Sequence, residues 1–148
     1  MTSYKLSVYL NPYTLATNPE GYYNTLLKFV NEKTHSLSKI RTILNDINDY
    51  GIWHSTIPMC VFYLTGNLTY NYKKQGWDDL NFYGKQSKID EKLGIKLLKL
   101  MVKCGANLHI KNYYMETLFD MCKNSSTNTT LTKRTENKNL IKYILSLE

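Results

Sequence analysis

Apolar residues in this sequence recur at intervals of three and four, inside segments too short to be stable alone. The clearest case is Ile89, Leu93, Leu97, Leu100 and Cys104, which share one helical face that stops at Gly105. A helix of that length is marginal in water. It persists only by laying its apolar face on another element, so the pattern demands a stack of helices rather than one long rod.

The same pattern recurs along the chain. Asn18-Pro19 supplies a capping residue and then Pro at the first helical position, followed by Tyr23, Leu26, Leu27 and Val30 on one face. Ser36 can cap a second helix with Leu37, Ile40, Leu44 and Ile47 inward, stopped by Asn48-Asp49-Tyr50-Gly51. Ile57 to Leu64 is apolar on all sides. Its length permits a strand, but its helical neighbours and Pro58 in the first turn favour a short buried helix. Residues 66–87 hold Gly66, Gly76 and Gly84 among aromatic and polar side chains and read as a long loop. Residues 115–123 read as a short helix with Met115, Leu118, Phe119 and Cys122 inward, and the Asn-, Ser- and Thr-rich stretch 124–133 as a second loop. A last helix, from about Arg134 to Leu147, turns Leu140, Ile141, Ile144 and Leu145 inward. The expected fold is all-α: six helices in three consecutive pairs, forming a short helical solenoid in one domain, 1–148, with insertions at 66–87 and 124–133.

Composition bounds the function. The 148 residues suit a single domain with a real core. The net charge is +7. Residues 1–66 carry Lys5, Lys28, Lys33, Lys39 and Arg41 against Glu20, Glu32, Asp46 and Asp49, so most of the excess falls in the second half. Such a balance favours acidic protein surfaces, nucleic acid or anionic lipid without choosing among them. Cys60, Cys104 and Cys122 each sit in an apolar stretch and read as reduced core thiols. His35, His54 and His109 are scattered and have no ligand-spaced partners, so neither a metal nor a cofactor is expected. No phosphate loop or nucleophile motif is present, which gives catalysis no support. The N-terminal residues lack the apolar core of a signal peptide and no run suits a membrane span, so the expected location is the cytoplasm.

Ile95 to His109 resembles the second helix and exit turn of an ankyrin repeat, with Gly105, Ala106, Asn107 and Leu108 in the positions of the family's Gly-Ala-Asp/Asn-apolar turn. Glu116-Thr117-Leu118-Phe119 is similar to the family's Thr-Pro-Leu-His helix start, with Thr117 matching the threonine. Three departures stand out: Leu118 where Pro is usual, Asp120 where His is usual, and Met115 where Gly is usual. The strong likeness covers about residues 93–122. Ile40, Ile95 and Ile141 would be equivalent second-helix positions, at separations that exceed the family period of about 33 residues and need the two insertions. The Asn-, Lys-, Tyr- and Ile-rich character is similar to ankyrin proteins of large DNA viruses of amoebae, which would place the chain in a host cell's cytoplasm.

The resemblance implies a protein–protein interaction module, not an enzyme. In that family the turns between repeats and the adjacent first helices contact partners. The corresponding residues are His109, Lys111, Asn112, Tyr113, Tyr114, Glu116 and Asp120. Tyr113 and Tyr114 admit two readings, contact with a partner or packing on the neighbouring turn. Lys88, Lys92, Lys96, Lys99 and Lys103 form a stripe that suits either an acidic partner or a solvated outer face, and Asp90 and Glu91 dilute it. The 66–87 stretch mixes aromatics with Lys73, Lys74 and Lys85 and reads best as an insertion pinned by Trp77, although stacking of single-stranded bases suits the same residues. The alternatives to a protein partner are therefore a basic nucleic-acid-binding protein and a structural component of a viral particle.

Overall fold

Asn-Pro occurs twice near the start of the chain, and each occurrence opens a helix. In the computed structural model, which describes residues 3–33, 35–47, 54–65, 68–71, 76–79, 89–127 and 138–148, helix α1 spans Ser3–Tyr9 and α2 spans Pro12–Thr17. Asn11 caps α2 by accepting from the Thr14 amide at 3.0 Å. Asn18 repeats the device for α3, Pro19–Glu32, accepting from the Gly21 amide at 2.9 Å. Ser36 caps α4, Leu37–Asn45. Then follow α5, Ile57–Thr65, and two short strands, β1 (Leu68–Asn71) and β2 (Gly76–Asp79). The chain closes with α6 (Glu91–Lys103), α7 (Leu118–Thr127) and α8 (Lys138–Ser146).

The centre is α5. All nine of its side chains are buried, and α2, α4, α6 and β1 pack around it. Each large apolar side chain buried this way contributes roughly 1.5–3 kcal/mol. Its closest neighbour is α6. A Cβ at Gly94 would come within 2.8 Å of Thr65 Oγ1, so a larger residue there would press on the buried Thr65 side chain. Asp90 caps α6 through the Leu93 amide at 2.8 Å. At its other end the Gly105 amide bonds Val102 O and the Ala106 amide bonds Met101 O, each at 3.0 Å, with Gly105 at φ 98°. That pair of bonds is the Schellman stop which Gly-Ala predicts.

Around this centre α3 packs on α2 and on α6, and α8 packs on α6 and α7. The expected pairing of the helices at 57–64 and 89–104 therefore appears as α5 with α6, and the last pair as α7 with α8. The first expected pair is corrected: α4 packs on α1 and α5, and α2 is the helix that pairs with α3. Ile40 thus has no claim to equivalence with Ile95, because α3, not α4, lies beside α6. Leu37 is also corrected; it opens α4 at 54 % exposure while Ile40 and Leu44 carry the buried face.

Three further expectations change. The 66–87 stretch is not loop throughout: Leu68 pairs with Asp79 and Asn71 with Gly76 in an antiparallel hairpin. Residues 80–88, Lys88 among them, and the side chain of Trp77 lie outside the description. The helix read at 115–123 begins at Leu118 and continues to Thr127, into the stretch read as loop from 124. Met115 is exposed, not inward. Two helices, α1 and α2, precede the first one expected. The stop at 48–51, the loop over 128–133 and the start of the last helix at 134–137 lie outside the described residues. Among those described, no helix is long and apolar enough to cross a membrane.

The start of α8 is held from a distance. The Glu91 carboxylate, in the first turn of α6, accepts from the Asn139 amide, from Asn139 Nδ2 at 3.0 Å and from the Leu140 amide at 3.0 Å. The two backbone amides are orphan donors of a helix N-terminus. Glu91→Ala should lower stability by about 1 kcal/mol, the usual worth of an N-terminal cap, with Glu91→Gln in between. Urea denaturation checks this, and an unchanged midpoint in Glu91→Ala would show that water replaces the carboxylate without loss.

Candidate functional site

Fourteen residues, Cys104 to Thr117, connect α6 to α7, and their polar groups are largely turned onto the chain itself. Asn45, the last residue of α4, clamps the near end: its Nδ2 donates to Gly105 O at 3.2 Å and its Oδ1 accepts from the Asn107 amide at 2.7 Å. Asn107 in turn accepts from the His109 amide at 2.9 Å. The far end is closed by Asn112. Its Oδ1 accepts from the Tyr114 amide at 2.9 Å and the Glu116 amide at 3.1 Å, while its own amide donates to Glu116 O at 2.9 Å.

Helix α7 then starts with a reciprocal cap. The Asp120 amide donates to Thr117 Oγ1 at 3.1 Å, and the Thr117 amide donates to Asp120 Oδ2 at 3.0 Å. The bond from the Thr117 backbone holds the Asp120 carboxyl below its usual range, with smaller help from the Thr117 hydroxyl, Lys123 and Lys111.

What this scaffold presents is apolar. Tyr113, Tyr114 and Met115 stand out consecutively at 56 %, 38 % and 68 % exposure. Against them lies His54, in the turn that precedes α5. Its ring stacks on Tyr113 at 5.1 Å between centroids, inclined 26°, and meets Tyr114 edge-on at 6.1 Å and 81°. The Tyr113 amide also donates to His54 O at 3.4 Å. The two turns are alike in backbone. His54 (φ 38°) and Met115 (φ 64°) are both left-handed, and each stands two residues before a threonine that opens a helix. The Thr56 carbonyl accepts from the Cys60 amide and the Thr117 carbonyl from the Met121 amide.

The seven residues expected to contact a partner therefore separate. His109, Lys111, Tyr113 and Tyr114 are exposed, and the His109 ring leans on Phe119 at 4.9 Å. Asn112 is only 3 % exposed and builds the turn from within. Asp120 is engaged in the cap of α7, and Glu116 is half-buried with both backbone groups bonded to Asn112. Of the two readings of the tyrosines, packing on the neighbouring turn is met by Tyr113, which stacks on His54 and keeps more than half its surface open. Sequence reasoning missed His54 and Met115 as surface residues. The available signal was Met115 in a position where glycine is usual, and the parallel between His54-Ser55-Thr56 and Met115-Glu116-Thr117.

The thiols have no place in this site. Cys60, Cys104 and Cys122 are buried and unpaired with one another. Burial pushes all three upward, Cys122 to about 12, which keeps them protonated and unreactive. Among the described residues no group of three His, Cys, Asp or Glu side chains is close enough to hold a metal ion.

Two outcomes test the architecture of the turn. Asn112→Ala leaves two partly buried amides without their acceptor and should cost about 2 kcal/mol by denaturant unfolding; a loss under about 0.5 kcal/mol would mean the turn holds without it. For Asp120 the folded carboxyl titrates below the unfolded one. Its stabilisation is complete above the unfolded value near pH 4 and is lost as pH falls through the folded value. Between about pH 5 and 3 the protein should lose more stability than Asp120→Asn does, and parallel pH profiles would contradict the cap.

Comparison of the chain with protein-family models, with curated proteins and with solved structures found no match, so function has to be argued from this chain's own residues and geometry.

Proposed function

We propose that this chain is a protein-binding module, a short solenoid of ankyrin-like helix pairs that contacts its partner through the tips of two adjoining turns. Three pairs, α2 with α3, α5 with α6 and α7 with α8, support the solenoid reading. Their second helices lie in the order α3, α6, α8, and α2 lies against α5. The repeated backbone of the turns before α5 and α7 supports it further.

The observation that carries the binding reading is Met115. A left-handed backbone costs an ordinary side chain roughly 1–2 kcal/mol, a cost that glycine avoids. Here a large apolar side chain occupies such a position and faces solvent, beside Tyr113, Tyr114 and His54. Folding gains nothing from that choice. A surface that keeps a large apolar residue against its own stability is one used for contact. Tyrosine and methionine are the types that anchor protein interfaces, one by stiff area and the other by adaptability. Asn112, Asn45 and Asn107 pre-order the loop beneath them, so little conformational entropy is left to lose on docking.

Two variants separate folding from binding. Met115→Gly should raise stability by about 1 kcal/mol while weakening partner capture. Tyr113→Ala with Tyr114→Ala should abolish capture and leave helicity intact by circular dichroism. The partner would be one recovered from native cell extract by the unaltered protein and identified by mass spectrometry. Recovery of that partner at equal yield by both variants would remove the turn tips from the interface.

A further inference from the structure

Among the described residues, most of the large exposed apolar side chains stand away from α6 and α8. Val8, Tyr9, Tyr13, Leu37 and the Tyr113–Met115 tip belong to α1, α2, α4 and the turn before α7, and Leu147 alone follows the end of α8. The outer sides of α6 and α8 carry lysines instead: Lys92, Lys96, Lys99 and Lys103 on one helix, Lys138 and Lys142 on its neighbour, all exposed. On α6 the spacing of four, three and four puts the ammonium groups in one row, about 16 Å long at 1.5 Å per residue.

Two of these lysines reach sideways onto rings of the flanking helices. Lys96 Nζ lies 4.7 Å from the centre of the Tyr23 ring on α3, and Lys99 Nζ lies 5.5 Å from that of Tyr143 on α8. Two of the carboxylates on this side are engaged in caps. Asp90 caps α6 and Glu91 caps α8. Glu20, in the first turn of α3, lines with Asp90, Tyr23, Asn24, Lys92 and Lys96 a groove of about 240 Å³, so one acidic side chain stands beside this end of the lysine row.

We propose that the outer face of α6 and α8 is a second contact surface, which binds the phosphate backbone of double-stranded nucleic acid without reading its sequence. The charge is complementary, and the absence of large exposed apolar residues along these two helices decides among polyanions. A folded protein partner would need apolar anchors at the centre of its footprint. An anionic membrane held by lysines alone, with nothing to insert, is bound only weakly. A single strand would need open rings on which to stack its bases, whereas Tyr23 and Tyr143 are half-buried and covered by ammonium groups. Backbone phosphates need only a row of cations.

The test is fluorescence anisotropy of the full chain with a labelled duplex of about 20 base pairs, from about 50 to 200 mM salt. With about four lysines engaged, affinity should fall roughly a hundred-fold across that range, a logarithmic slope near −3.6. Lys96→Gln alone should flatten the slope by about one. The quadruple change of Lys92, Lys96, Lys99 and Lys103 to Gln should abolish binding, and the same four changed to Arg should retain it, with helicity unchanged in both. No duplex binding at the lowest salt overturns the proposal. So does undiminished binding by the quadruple Gln variant, or tighter binding to a single strand, to polyglutamate or to phosphatidylserine vesicles than to the duplex.

Discussion

The complete burial of α5 is the constraint on which the other elements depend. A helix apolar on every side cannot sit at a surface, so it has to be surrounded, and the chain surrounds it with pieces that are individually too short to be stable. Helices of six to nine residues, such as α1, α2 and α4, keep their shape because Leu6, Leu15, Ile40 and Leu44 have this core to reach. The closeness of α6, permitted by Gly94 against Thr65, fixes where the second layer lies. From α6 outward, α3 and α8 take their positions on either side.

Short helices have a high proportion of unpaired end groups, and this protein answers with side chains that reach between elements. Asn45 at the end of α4 ties down the turn after α6, and Glu91 at the start of α6 ties down α8. Asn112 holds the next turn from inside while its Nδ2 stays buried with no acceptor among the described residues. The turn tip is rigid for these reasons, and rigidity is what makes an exposed Tyr-Tyr-Met sequence a defined surface rather than a mobile one.

How much of this was legible follows from the range of the interactions involved. Helix α6 was legible in its face and its Gly105 stop, because both are local, whereas its Asp90 cap, equally local, went unread. The same holds for the caps at Asn18 and Ser36, and for α5, whose uniform apolarity excludes an amphipathic surface role. Met115 was misread because it stands three and four residues before Leu118 and Phe119, a spacing that satisfies helical periodicity. The cap formed by Thr117 and Asp120 decided otherwise and started the helix later. Helix α1 was missed because its apolar residues are too few to make a pattern, and α2 because the Asn11-Pro12 signal was not matched to Asn18-Pro19. The partner of α4 and the contact between His54 and Tyr113 are long-range facts that no local pattern encodes. At the candidate site, the exposed tyrosines were legible from their turn, whereas the inward role of Asn112 was not.

Glu91 has one more effect. Because a residue in the first turn of α6 reaches the first turn of α8, the two helices start at the same end and their macrodipoles run side by side in the same sense. Two positive ends are thereby brought together, and two adjacent carboxylates offset them, Asp90 on α6 and Glu91 on α8. It also means that the place where α8 begins is specified on another helix. Nucleating the first turn is the costly step in forming any helix, and here the group that assists it is present only once α6 is in place. The contact thus makes the last pair depend on the middle one, since α8 has this cap only where α6 stands beside it.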